Sequence, residues 1–354
     1  MARSLAPARS SHDYPVRVLS APRFLGPRAG ALLAMTALVG CASAGAGVGA
    51  APTPALWRGA AHVRGVVDLA GPRAGGALVV AAAGRLLTRA PSGTLHPFSP
   101  AYTAPRGLEP YIALSPGQRV AGAGCRFARG ALYALRLTHG DGVTEVTPSG
   151  RVRRFAALPR RGLENGIAFD TTGRFGHRLL VTATTSGRTT VFAIDCRGRA
   201  RVLTGSAPRL EGGLAIAPAG FGRFGGELIA PDELSGAIYA IAPDGSVRLV
   251  ARSGIPHGQD VGVESEGFVP SRFSAAYVAD RLTRGNRHPG DDLVLALTAS
   301  ALRIAGVRAG DLLVVSEGAA DTVVVRCQRG CQVRRVASGP PEAHVEGHVV
   351  FGQR

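Results

Sequence analysis

The chain has 354 residues, room for one large domain or two ordinary ones, and its 49 Gly and 24 Pro suit short strands and turns better than long helices. A hydrophobic share of 45% can build a sizeable core and excludes wholesale disorder. The formal charge of +17 rests on 41 basic residues, all Arg, scattered among only 5% aromatics, which argues against nucleic-acid binding and for attraction to an anionic envelope surface.

Residues 1–28 are polar and basic, and an apolar run from Ala29 to Val39 follows. Its length suits a signal-peptide core and falls short of the roughly twenty residues that span a bilayer. The run ends in Leu38-Val39-Gly40-Cys41, which resembles the bacterial lipobox. That resemblance implies a lipoprotein signal peptide over residues 1–40, cleavage after small Gly40, and a lipid on the Cys41 thiol. It puts the protein on the extracytoplasmic face of the cell membrane. The alternative is a general secretory signal cut near Ala42-Ser43-Ala44. Residues 41–60 read as the lipidated Cys and a flexible tether, because they are small and carry Pro. Residues 61–354 read as one domain.

From about residue 62, short apolar runs alternate with Gly, Pro, Asp and Ser. Leu179-Leu180-Val181-Thr182 and Leu312-Leu313-Val314-Val315 have strand character, and no helical period is sustained. The runs recur. Leu108-Glu109-Pro110, Leu163-Glu164-Asn165, Leu210-Glu211-Gly212 and Ser265-Glu266-Gly267 each open a unit of about fifty residues, which holds four strands. Six units are expected, at about 62–100, 107–157, 162–206, 210–254, 264–298 and 302–338. Turns such as Pro243-Asp244-Gly245 join the outer strands, with Pro presetting φ and Gly tolerating a positive one. The tail from His344 to Phe351 reads as one more inner strand, closing the ring by completing the first unit. The expected fold is all-β, a six-bladed β-propeller of four-stranded blades; a seven-bladed ring or paired β-sandwiches are the alternatives.

Gly162–Ile194 and Leu210–Gly245 resemble NHL-type repeats and the regucalcin/gluconolactonase-like six-bladed propellers, and the likeness extends over most of 62–351. In that family a channel-facing Glu, an Asn before a Gly, and Asp residues hold a metal. The resemblance implies a matching set here in Glu109 or Glu164, Asn165-Gly166 and Asp232. Two departures weigh against it: Thr182-Ala183-Thr184 stands where the family has a strand ending in Asp, and Gly212-Gly213 replaces an Asp-Gly step.

Four cysteines remain beside Cys41. Cys327 and Cys331 flank a tight turn and face one another, so they are expected to pair in an exported protein. Cys125 and Cys196 then pair by elimination, or stay as free buried thiols. The recurrent acids Glu109, Glu164, Glu211 and Glu266, with Glu346, precede inner-strand runs. Were those strands to line a channel, the carboxylates would converge at one mouth and suit Ca²⁺. Capping or pairing with Arg is the plainer role for each. His257, Asp260, Glu264 and Glu266 form the densest polar stretch and read as a mouth-lining loop.

The leading expectation is a membrane-anchored binding module for a small molecule or an envelope protein. The alternative is a Ca²⁺-dependent lactonase-like hydrolase acting through Glu109, Glu164, Asn165, Glu211 and Asp232. A purely structural propeller is the third reading. Replacing Cys41 with Ser is expected to release the protein into the medium, as read by immunoblotting of membrane and soluble fractions; retention in the membrane fraction would assign the anchor elsewhere.

Overall fold

Strand after strand is buried along its whole length, as in Leu78–Ala82, Leu132–Leu135 and Leu312–Ser316, because each blade is covered on both faces by its neighbours. The computed structural model describes residues 54–105, 110–136 and 140–353. Within them the strands form six four-stranded sheets, radially arranged, one of which gains a short fifth strand, and Arg119–Val120 pairs with Cys125–Arg126 as a separate two-stranded ribbon. Blade 1 holds Val66–Ala70, Leu78–Ala82, Arg85–Arg89 and Leu95–Pro97, from the channel outward. Blade 2 runs from Ile112–Leu114 to Val152–Ala157, blade 3 from Leu163–Phe169 to Ala200–Ala207, and blade 4 from Ala215–Ile216 to Val247–Arg252. These four are simple antiparallel meanders, and they match the first four units expected from the repeat.

The last two units are interlaced, which corrects the expected 264–298 and 302–338 blades. The inner strand Val263–Phe268 pairs with Leu312–Ser316, and Thr322–Cys327 and Cys331–Ser338 complete blade 5. Ala275–Asp280 and Leu293–Thr298 belong instead to blade 6, whose inner strand is the tail Val345–Phe351. The chain leaves blade 5 at Val269-Pro270, where Pro has no N–H to extend the ladder. It returns through the helix Ala299–Ile304, which Thr298 caps by accepting from the Ala301 N–H at 3.2 Å. The tail therefore completes the sixth blade and not the first.

The N-terminal side also takes part. Arg58–His62 is the outermost strand of blade 6, and Ala55–Leu56 lies parallel to the outer strand of blade 5. The tether reading through residue 60 is thus shortened, because these residues are held in ladders. Trp57 fastens them: it is buried, and its indole N–H donates to Thr322 Oγ1 at 2.8 Å. Cys41 and the signal segment lie outside the described residues. Among the described residues no helix is long and apolar enough to cross a membrane.

The outer hairpins show why turn glycines recur. Gly245 has φ +85°, and a Cβ there would collide with the Leu203 carbonyl of blade 3. The Pro243-Asp244-Gly245 turn is thus both a reversal and a blade-to-blade contact. Among the described residues two disulfides are present. Cys327–Cys331 closes a hairpin, with Cα atoms 4.1 Å apart. Cys125–Cys196 joins blades 2 and 3 across 71 residues. By loop-closure entropy, removing the second with paired Cys→Ser changes is expected to cost about 2–4 kcal/mol, measured as the loss in unfolding free energy in guanidinium.

Candidate functional site at the acidic mouth of the channel

The six inner strands run side by side down the axis, and polar groups from opposite blades meet there. Asp68 of blade 1 is fully buried and accepts four N–H groups: those of Leu69 (2.7 Å), Ile112 (2.7 Å) and His348 (2.8 Å), and the His348 ring Nδ1 (3.0 Å). The other ring nitrogen, Nε2, reaches across the channel from blade 6 to the Ile167 carbonyl of blade 3 at 2.9 Å. With an acceptor at each nitrogen, the ring is held as a cation. Burial alone would lower its pKa; the Asp68 charge and both hydrogen bonds outweigh burial and raise it. Gly347, at φ +68°, passes so close that a Cβ would strike the Asp68 carboxylate. Gly213 of blade 4 passes Gly347 as closely, which explains the Gly212-Gly213 step. Tyr111 of blade 2 forms the second bridge, its hydroxyl lying 2.6 Å from Glu264 Oε1 of blade 5 and 2.7 Å from Glu346 Oε2 of blade 6.

This plug divides the channel. Where the inner strands begin lies a polar cavity of about 230 Å³. Among the described residues it gathers six carboxylates, from Glu211, Glu233, Asp260, Glu264, Glu317 and Glu346. Facing them are Arg209, Arg281 and His344. Arg209 donates to Glu211 at 2.6 Å and lies 3.7 Å from Glu233. Arg281 lies 3.5 Å from Glu346. The cations are too few, and the acids respond as buried like charges must. Burial, with Glu346, Glu233 and Asp260 nearby, pushes Glu317 up to about 10. Burial and the Glu346, Glu317 and Glu211 charges push Glu264 well above the carboxylate range. Glu346 goes the other way: although burial opposes it, His344, Arg281 and the Tyr111 hydroxyl hold it low. His344 Nε2 is nearer Glu317 Oε1 (3.1 Å) than Glu346 Oε1 (3.4 Å). Glu346 still takes the negative charge, because it alone of the two also faces Arg281 and Tyr111.

Glu317, His344 and Glu346 present one ligand atom each, all within 4.8 Å of one another. Two buried atoms here have no hydrogen-bond partner, Glu317 Oε2 and His344 Nδ1. The three side chains fit a divalent cation, which would replace the proton that Glu317 now carries. Two carboxylates and an imidazole suit Mn²⁺ or Zn²⁺ better than the all-oxygen shell that Ca²⁺ prefers.

The residues singled out from the sequence are dispersed. Glu211 stands in the mouth, paired with Arg209. Glu164 is buried beside Arg136, 3.8 Å away, and burial raises it to about 7. Asn165 ties blade 3 to blade 4, donating to the Leu210 carbonyl at 2.8 Å and accepting from Thr182 Oγ1 at 3.1 Å. Asp232 closes its own turn, accepting from Leu234 N at 3.1 Å and Ser235 Oγ at 2.5 Å. Glu266 faces the channel on the far side of the plug. Glu109 lies outside the described residues. Of the polar loop, Asp260 and Glu264 line the mouth, while His257 packs beside the Gly236 turn. Sequence reasoning missed Asp68, Tyr111, Glu233, Glu317 and both His344 and His348. One signal was available: Asp232-Glu233, Ser316-Glu317 and Asp280 all end the second strand of a blade, at the mouth end.

No protein-family model and no curated protein matches the chain. Solved propellers do. A virginiamycin B lyase from Staphylococcus aureus with quinupristin is similar at 12% identity and TM-score 0.46, covering 83% of this chain and 94% of that one. A gluconolactonase from Xanthomonas campestris is similar at 13% identity and TM-score 0.47, covering 82% and 84%. A calcium-binding regucalcin from Agrobacterium tumefaciens is similar at 11% identity and TM-score 0.44, covering 81% and 79%. At these values the likeness bears on the fold alone.

Glu317 also sets a pH dependence. Its folded pKa is about 10 against an ordinary 4.5, so between those values the folded protein keeps a proton that the unfolded chain has lost. Folding stability therefore falls as pH rises through that window. The melting temperature is expected to drop from pH 5 to pH 9, and to drop less in Glu317→Gln, as followed by calorimetry in metal-free buffers.

Proposed function

We propose that the chain is an exported, lipid-anchored propeller that binds a divalent cation at the acidic mouth and uses it to capture a small ligand. One observation carries this reading: Glu317, His344 and Glu346 converge with buried, unpartnered atoms in a cavity whose carboxylates outnumber its cations. A metal there would offset the burial and the neighbouring charges that now raise the Glu317 and Glu264 carboxyls. It would also offer an open coordination position toward the cavity, where Arg209 and Arg281 could orient an anionic or carbonyl-bearing ligand. Tyr111 would hold Glu346 in place from the channel floor. Asp68 and His348 would keep the floor closed, so that a ligand enters and leaves by the same mouth.

Hydrolysis of a lactone at this mouth is the second reading. What favours it is a carboxyl raised to about 10 by burial and its neighbours beside a potential metal position, an arrangement that can hold or move a proton. Glu164, Asn165 and Asp232 would not serve it from their present places, since each is engaged elsewhere.

Titration of the apo protein with Mn²⁺, Zn²⁺ and Ca²⁺ decides between a site and a structural cluster. Binding heat and a raised melting temperature are expected, strongest for Mn²⁺ or Zn²⁺. At a hundredfold excess over Kd the stabilisation would be about 2.7 kcal/mol. His344→Ala and Glu346→Gln are expected to abolish it. No heat and no thermal shift with any of the three would remove the metal reading.

A further inference from the structure

Below the plug the channel changes character. Where the inner strands end there is a second cavity, of about 880 Å³, a size that accepts a drug-sized molecule. All six blades contribute to its wall, mainly with apolar side chains such as Leu69, Ile112, Ile167, Leu214, Phe268 and Val350. One acid interrupts this wall. Glu266 is 1% exposed, and neither of its carboxylate oxygens has a hydrogen-bond partner. Its neighbour on the channel face, Glu264, points to the opposite cavity and is bonded by Tyr111.

A buried carboxyl without a partner is costly, and native interiors rarely keep one. Replacing it by Leu would relieve that cost, so its retention in an apolar chamber calls for a ligand that satisfies it. The two empty acceptor oxygens match a group with several N–H donors. Of the other charged residues lining the chamber, His348 is closed on Asp68, Arg73 stacks over the Phe98 ring and Arg129 is exposed to solvent. We propose that this lower cavity binds an apolar molecule carrying one ammonium group, with the ammonium on Glu266 and the apolar body against the wall. Burial keeps the Glu266 carboxyl far above its ordinary range in the empty cavity, and an ammonium beside it restores the carboxylate. The site is separate from the acidic mouth, with the Asp68–His348–Ile167 bridge between them.

The test uses the mature protein, with 2-phenylethylammonium as the cationic probe and 2-phenylethanol as its neutral counterpart, both followed by titration calorimetry. The wild type is expected to bind the ammonium at least tenfold more tightly than the alcohol. Glu266→Gln is expected to erase that difference, and Glu317→Gln to leave it intact. Equal affinity for the two probes, no binding of the ammonium, or an unchanged preference in Glu266→Gln would overturn the proposal. Loss of the preference in Glu317→Gln would also overturn it, since the amine would then sit in the acidic mouth. Glu266→Asp, shorter by one methylene, gives an independent reading. There the ammonium is expected to weaken while the alcohol holds; equal changes in both would count against the site.

Discussion

The ring is drawn together by one buried ion pair. Asp68 and the His348 imidazolium lie on the axis, and their hydrogen bonds reach blades 1, 2, 3 and 6. Such a pair in a low-dielectric interior stabilises only if every lone pair and proton finds a partner. Here they do: Asp68 takes backbone N–H groups as well as the ring, and the far nitrogen of the ring takes a carbonyl. The demand for complete satisfaction fixes the geometry around it. It requires Gly347 and Gly213, because a Cβ at either would push the strands apart. Tyr111 adds the second cross-channel link, and the two together make a floor.

That floor lets one propeller hold two chemistries that would otherwise cancel. Above it the carboxylates crowd until burial and repulsion force several to keep their protons. Below it a single carboxyl stands in hydrocarbon. Glu317 and Glu266 are both raised first by desolvation, but of the two only Glu317 is also raised by like charges. The upper chamber is therefore suited to concentrated positive charge and the lower to a diffuse apolar body with one cationic end. The overall excess of Arg says nothing about either, because Arg on outer strands such as Val247–Arg252 faces solvent while the axis is acidic.

The fold was largely legible in the sequence, since a blade announces itself through strand-length apolar runs and recurring turns. The first four blades follow chain order and could be counted. Blades 5 and 6 could not, because an interlaced pair has the same local pattern as two successive meanders; only pairing partners distinguish them. The site was legible in part. Glu211, Asp260, Glu264 and Glu346 reach the mouth as their place before inner strands suggested. Glu164 and Glu266 hold similar sequence positions and go elsewhere, one to Arg136 and one below the floor. A shift of two residues along a channel strand carries a side chain past the plug, as Glu264 and Glu266 show. His344 and His348 carry no local signal, because the His344 ring meets Glu317 of blade 5 and the His348 ring meets Asp68 of blade 1, 280 residues away.

The interlacing of blades 5 and 6 has a temporal side. Four blades are each made from one continuous stretch, so they can assemble locally as the chain is synthesised. The last two cannot. Blade 5 draws its strands from residues 55–56, 263–268 and 312–338, and blade 6 from 58–62, 275–298 and 345–351, so blade 6 is not whole until the final inner strand arrives. Long-range pairing of this kind is slow and comes late. Arrival of that strand also delivers His348 to Asp68. The step that shuts the ring is therefore the step that builds the floor, and a molecule that has not finished folding has neither chamber.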